Sequence, residues 1–259
     1  MRTVAGTERF LKMIPAGAQG GCFCGRIDQL LKALLQQDGD KEVAMRDNRD
    51  TQQKLTERPC VDFAAALAAK QSVPGGGGAA ALTGALGAAL CSMVAHYTVG
   101  KKAYASVQGD IERILIEAED VRENLMGLIN ADAEAFEPLA RAYSIPKSDP
   151  ARARTIELAT KTACSAPIEM MRQCARAVPL LEELAEKGSR LLLSDVLCGA
   201  ALCGAALVAS SANVYVNTGT LGDREFAEEL EAEADALIGE YAPRAQAVVD
   251  AMRAHLRRG

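Results

Sequence analysis

Asp132 is a carboxylate where an apolar side chain is due. Val121, Leu125 and Leu128 follow one another at helical spacing, and the next step of four lands on Asp132, with Phe136 one step beyond. Steps of three and four keep one side of an α-helix facing the core, so this row carries a charge onto a face that should be buried. A carboxylate there needs donors, a raised pKa or a ligand. It can shuttle a proton or stabilise a developing positive charge. It can equally be a structural acceptor for a neighbouring helix.

Three further sets of residues stand out. Pro74-Gly75-Gly76-Gly77-Gly78 directly precedes a long apolar helical segment, so free backbone N–H groups at a positive helix end could hold an anion or a closely pressed ligand. The alternative is a flexible loop that lets helices pack closely; the Gly-Lys-Ser/Thr ending of a nucleotide loop does not follow. Lys101-Lys102 close that helix, either capping its negative end or reading a ligand carboxylate. Asp195, Asn213 and Asn217 share one helix face. Asp195 and Asn213 are about 27 Å apart at 1.5 Å per residue, so they cannot hold the same atom. They line different parts of a long ligand, belong to separate sites, or merely start and end their helix.

No metal centre is expected. Cys22 and Cys24 have no second pair of ligands nearby, and His96 and His255 are too few and too far apart. Cys91, Cys198 and Cys203 lie in Ala/Gly-rich runs and read as small buried residues. Met1 to Ile14 lacks the pattern of a secretory leader, so the expected location is the cytoplasm. A net charge of −5 argues against a nucleic-acid partner.

The elements that must position these residues are helical throughout. The apolar periodicity predicts helices over Asp62–Gln71, Ala79–Val99, Asp110–Tyr143, Ser194–Asn217 and Asp223–Arg258, the last interrupted near Pro243. Between Ala151 and Lys187 it predicts helices broken near Pro167 and Pro179, after a loop over Ser144–Pro150. The fold class is therefore all-α, a bundle of long, closely packed helices. Ala79–Val99 carries no Asp, Glu, Lys or Arg, and Leu191–Ala209 carries only Asp195. Both are long enough to span a bilayer. Their Ala and Gly content favours buried bundle helices instead, with a small-residue membrane protein as the remote alternative and no membrane partner expected. Residues 1–59 read as an N-terminal extension, a short helix over Arg26–Gln37 plus a charged linker, and residues 60–259 as the helical domain.

In order, the glycine run, Ala81-Leu82-Thr83-Gly84-Ala85-Leu86-Gly87, Gly100-Lys101-Lys102-Ala103-Tyr104 and Asp132-Ala133-Glu134-Ala135-Phe136 resemble the cyclodeaminase/cyclohydrolase family. That family includes the C-terminal domain of formiminotransferase-cyclodeaminase and stand-alone methenyltetrahydrofolate cyclohydrolases. Ser194-Asp195 and Asn213-Val214-Tyr215-Val216-Asn217 are similar to its later motifs. The resemblance implies a homodimer that acts on a tetrahydrofolate derivative with no metal or nucleotide cofactor, by ring closure with loss of ammonia or by hydrolytic ring opening. It places Asp132 at the active site, with Asp195 as a second acid/base. Gly75, Gly76, Gly77, Gly78, Lys101, Lys102, Asn213 and Asn217 become folate-binding residues, the lysines on the glutamate tail. The sequence departs from the family at Ser72-Val73-Pro74, at Gly78 where Ser is frequent, and at Leu191-Leu192-Leu193, where a polar stretch is usual. The last departure keeps a folate-binding protein that has lost catalysis as the alternative.

Overall fold

The computed structural model describes residues 54–258. The helix and linker expected within 1–59 lie outside the described residues, except for the turn at Leu55–Glu57. The Asn130 side chain binds that turn at two points: Leu55 N–H donates to Asn130 Oδ1 (2.9 Å), and Asn130 Nδ2 donates to Thr56 Oγ1 (2.9 Å).

Every regular element among the described residues is helical. The α-helices are α1 (Cys60–Ala68), α2 (Gly76–His96), α3 (Gln108–Tyr143), α4 (Arg152–Ala163), α5 (Ser165–Lys187), α6 (Leu193–Thr218) and α7 (Arg224–Leu256). Short 3₁₀ segments, Lys102–Val107 and Arg190–Leu192, lead into α3 and α6. The main core is made by α2, α3, α5 and α6, with α7 covering α5 and α6. It includes Ala81, Ala85, Ala88, Ile111, Ile114, Val121, Leu125, Ile129, Leu181 and Leu207. A smaller core of Leu139, Ala142, Ala159 and Ala163 joins the end of α3 to α4.

Small residues let α2 and α6 lie very close and antiparallel. A Cβ on Gly87 would sit 2.5 Å from Cys203 Sγ and 3.0 Å from Gly199 O. One on Gly199 would sit 3.2 Å from Gly87 O. These two glycines therefore face each other backbone to backbone, and neither tolerates a side chain without separating the helices. Where α2 ends, Gly100 takes φ 73°, a left-handed conformation that costs glycine little.

Several boundaries differ from the sequence pattern. The first short helix starts and ends earlier, at Cys60–Ala68. The break expected near Pro167 falls at Cys164, and Pro167 sits in the first turn of α5, where backbone N–H groups lack helical partners anyway. Pro179 and Pro243 interrupt nothing: α5 and α7 run through them. A mid-helix proline costs about 3 kcal/mol, and packing on both sides offsets it. Buried Cys174, Val178, Leu181 and Leu184 flank Pro179. Beside Pro243, Arg244 grips Glu182 with Nε at 2.9 Å and Nη2 at 2.6 Å.

Cys91, Cys164, Cys174 and Cys203 are buried free thiols; burial pushes Cys164 up to about 11 and Cys203 up to about 12. Cys198 corrects its expectation: it is exposed, on the outward side of α6 with Ala201 and Ala205. The two apolar segments are α2 and α6, and both meet the length and composition of a membrane span. Of the two, α2 is mostly buried and α6 less so.

Candidate active site

The glycine run is not a loop before a helix. Gly75 is the N-cap of α2, and Gly76, Gly77 and Gly78 form its first turn. Gly75 offers no side-chain cap, so the N–H groups of that turn, which have no helical partner, need an acceptor from elsewhere. Asp132, on α3, is that acceptor. Its carboxylate receives a hydrogen bond from Gly78 N–H and lies against Gly77, where a Cβ would be 2.5 Å from both Oδ1 and Oδ2. The positive helix end expected to attract an anion therefore holds one of the protein's own.

Two opposing effects act on Asp132. Burial, the larger, raises its pKa, and the Gly78 N–H lowers it; the net result lies above the ordinary carboxylate value. The structural reading of Asp132 is met by these contacts, and the same position leaves the carboxylate facing a cleft. The helix end fixes its position, and partial desolvation moves it toward the range in which a carboxyl exchanges protons.

Asp132 opens onto a cleft of about 200 Å³. Its polar side is Gly75, Gly76, Gly77, Asp132, Asn213 and Asn217. Its apolar side is Val73, Phe136, Ala163, Pro167 and Val216. The antiparallel packing of α2 and α6 brings Asn213 over the first turn of α2, with Oδ1 3.4 Å from a Cβ built on Gly76. Asn213 Nδ2 donates to Ala209 O (3.1 Å) and Asn217 Nδ2 to Ala163 O (3.1 Å). The Asn217 bond ties α6 to the elbow between α4 and α5 that forms the apolar wall.

The remaining candidates sit at the other end of the same two helices. Between Gly76 and His96, α2 has 21 residues, about 30 Å, and Lys101 and Lys102 lie beyond it, both exposed. Asp195 is at the start of α6. This end is fastened by Ser189 N–H to Thr98 Oγ1 (2.9 Å) and Arg190 N–H to Tyr104 Oη (3.1 Å). A single chain therefore brings Gly75, Gly76, Gly77, Asp132, Asn213 and Asn217 together around the cleft, with Gly78 directly beneath. It leaves Lys101, Lys102 and Asp195 far away. The unusual Leu191-Leu192-Leu193 belongs to the distant end and does not line the Asp132 cleft of its own chain.

Phe136 and Pro167 had been placed otherwise by sequence: one in the core stripe, one as a helix break. Both line the cleft. The signal for Phe136 was its place one turn beyond Asp132, since a row that turns polar also turns toward whatever the polar group faces.

An all-helical bundle with a half-buried carboxylate held at a glycine helix end, in a half-apolar cleft, defines a class of small-molecule sites. The comparisons give the family. Residues 59–236 match the family model described as Formiminotransferase-cyclodeaminase, and the chain belongs to that family. A methenyltetrahydrofolate cyclohydrolase from Methylorubrum extorquens is 42% identical over 69% of this chain and 88% of its own length. The formimidoyltransferase-cyclodeaminase of Sus scrofa is 28% identical over 78% of this chain, which spans 38% of that protein. A solved formiminotetrahydrofolate cyclodeaminase from Thermotoga maritima superposes with TM-score 0.68 at 31% identity, covering 76% of this chain and 98% of that one.

Proposed function

We propose that this protein is a folate one-carbon enzyme that hydrolyses methenyltetrahydrofolate, with formiminotetrahydrofolate cyclodeamination as the second reading. The observation that carries it is Asp132, fixed by α2 and raised in pKa by burial inside the cleft. The higher identity and fuller mutual coverage of the Methylorubrum cyclohydrolase favour hydrolysis. The Thermotoga cyclodeaminase, covered almost entirely by this fold, favours the second.

One mechanism serves both. In hydrolysis, water attacks the bridging carbon of the methenyl cation, and Asp132 takes the proton that water loses. The tetrahedral carbon then breaks one of its bonds to a ring nitrogen as Asp132 returns the proton to that nitrogen, and the new hydroxyl releases its own proton to solvent, leaving a neutral formyl group. In cyclodeamination, N10 attacks the carbon of the formimino group in its protonated, amidinium form and gives up its own proton. The formimino nitrogen accepts a proton and departs as ammonia, leaving the methenyl cation. In both, a carboxylate beside the reacting carbon stabilises positive charge and moves one proton. The carbon is already electrophilic, so neither step calls for a metal or a nucleotide cofactor. Phe136 and Pro167 offer the planar ring an apolar wall.

The enzyme works as a homodimer in the cytoplasm. The outward sides of α2 and α6 carry Leu86, Tyr97, Val208 and Val216, all exposed, and their only acidic or basic side chains are His96 and Asp195 near one end. A second copy is the occupant this face suits. Because α2 and α6 are antiparallel, a two-fold axis across their midpoint would lay the Lys101, Lys102 and Asp195 end of one copy over the Asp132 cleft of the other. That would restore the long folate site the resemblance implies, with the lysines on the glutamate tail.

The deciding experiment is spectrophotometric: purified protein, prepared without detergent, with methenyltetrahydrofolate and formiminotetrahydrofolate in separate assays. Loss of the methenyl chromophore supports hydrolysis, and its appearance from the formimino substrate supports cyclodeamination. Binding without turnover of either would leave a folate-binding protein, and insolubility without detergent would revive the membrane reading.

A further inference from the structure

The four glycines at the start of α2 are not equivalent. A Cβ on Gly75 would find nothing closer than Ser72 O at 4.0 Å. One on Gly78 would meet Pro74 Cβ at 3.5 Å and Ile129 Cγ2 at 3.9 Å, ordinary contacts. One on Gly76 would meet the Asn213 side chain at 3.4 Å. Only at Gly77 is the added atom impossible as things stand: both carboxylate oxygens and Cγ of Asp132 lie within 2.6 Å of it.

We infer that Gly77 is a positioning residue for Asp132, its missing side chain being the space that the carboxylate occupies. This rests on the assignment of Asp132 to the chemistry. What collides with the added methyl is the end of a side chain, not backbone. Gly77→Ala therefore leaves the helix intact and drives the carboxylate off the helix end. Its bond from Gly78 N–H and its place in the cleft are lost together. Elsewhere alanine is the better helix residue. The substitution thus separates the fold from the chemistry: the fold keeps or gains stability while the reaction loses its proton carrier.

The test uses the full chain, either folate assay, and a set of single and double variants. Gly127→Ala, on α3 with nothing within 4 Å of the new atom, controls for adding a methyl to a helical glycine, and should leave turnover unchanged. For Gly77→Ala the expected result is kcat lower by about 100-fold or more, the low end of what a general acid/base contributes. KM should stay within a few-fold and the melting temperature should not fall. Asp132→Ala removes the colliding atoms, so adding Gly77→Ala to it should cost no further residual turnover and no tetrahydrofolate affinity. Wild-type turnover in Gly77→Ala would overturn the inference. So would a second, independent loss in the double variant. If Gly77→Ala fails to fold, recovery of folding in the Asp132→Ala background supports the collision, and failure in both backgrounds overturns it. An active wild type whose Asp132→Asn variant is equally active would overturn the role of Asp132 instead, and the two failures are thereby distinct.

Discussion

The two ends of the α2/α6 pair are built from the same helices and differ in almost every physical respect. At the glycine end, α3 and the α4–α5 elbow close over the helices, and Asp132, the charged group lining the cleft among the described residues, is partly desolvated. At the lysine end the chain passes through two 3₁₀ segments, and Lys101, Lys102 and Arg190 are exposed. The glycine end has the enclosure that makes electrostatics strong, whereas the lysine end has charge that water screens. The proposed function divides along this line: it puts the chemistry where a third and fourth helix enclose the pair, and recognition of a distant anionic group where they do not.

The sharpest way to break this comparison is to remove the enclosed charge. Asp132→Asn should lower kcat by about 100- to 10,000-fold, the range for a positioned acid/base, with helix content unchanged by circular dichroism. Asp195→Asn should cost clearly less. Next comes the pairing of the two ends. Leu86→Asp puts a charge into the outward apolar face and should halve the molar mass seen by light scattering. Turnover should fall by more than tenfold if each cleft needs the other copy's lysine end. Cys198 gives an independent reading. It should resist thiol reagents in the dimer and react in Leu86→Asp, while the Cys203 thiol, held near 12 by burial, stays inert in both.

A smaller effect is expected at the exposed end. Lys101→Ala or Lys102→Ala should raise KM for a glutamate-bearing folate by about tenfold, the value of one charge-assisted hydrogen bond, with kcat within about twofold. The smallest effect concerns stability. Burial raises the pKa of Asp132 above its unfolded value. Below the unfolded value the group is protonated in both states and costs nothing. As pH rises through the folded value the charged form must be buried, and stability is lost. Asp132→Asn should therefore melt a few degrees higher than wild type at neutral pH, and the gap should close as pH falls below the carboxylate range.

Much of the architecture was legible because helical periodicity is a local property. The row Ile111, Ile114, Ala118, Val121 and Leu125 is buried in order, and Asp132 stood out against it for a reason the structure bears out. The helix through Tyr143 and the long small-residue helices were read within a few residues of their ends. The prolines were misread because propensity is a local penalty, and the packing that offsets it at Pro179 and Pro243 comes from other helices. Cys198 was misread because an Ala/Gly-rich run around it has no polar side to show which face turns outward.

Sequence by itself determined that the protein is helical, that α2 and α6 are built for close approach, that a carboxylate interrupts a buried row, and that Asp195 and Asn213 cannot share an atom. Each follows from spacing along one helix. Only the tertiary structure decided that Asp132 caps the first turn of α2, that Gly77 alone of the four glycines lies against its carboxylate, and that Asn213 and Asn217 join this end while the lysines do not. Those facts depend on which helix meets which, and in what direction. Side-chain patterns on a single helix state how much surface must be buried, but not what will bury it.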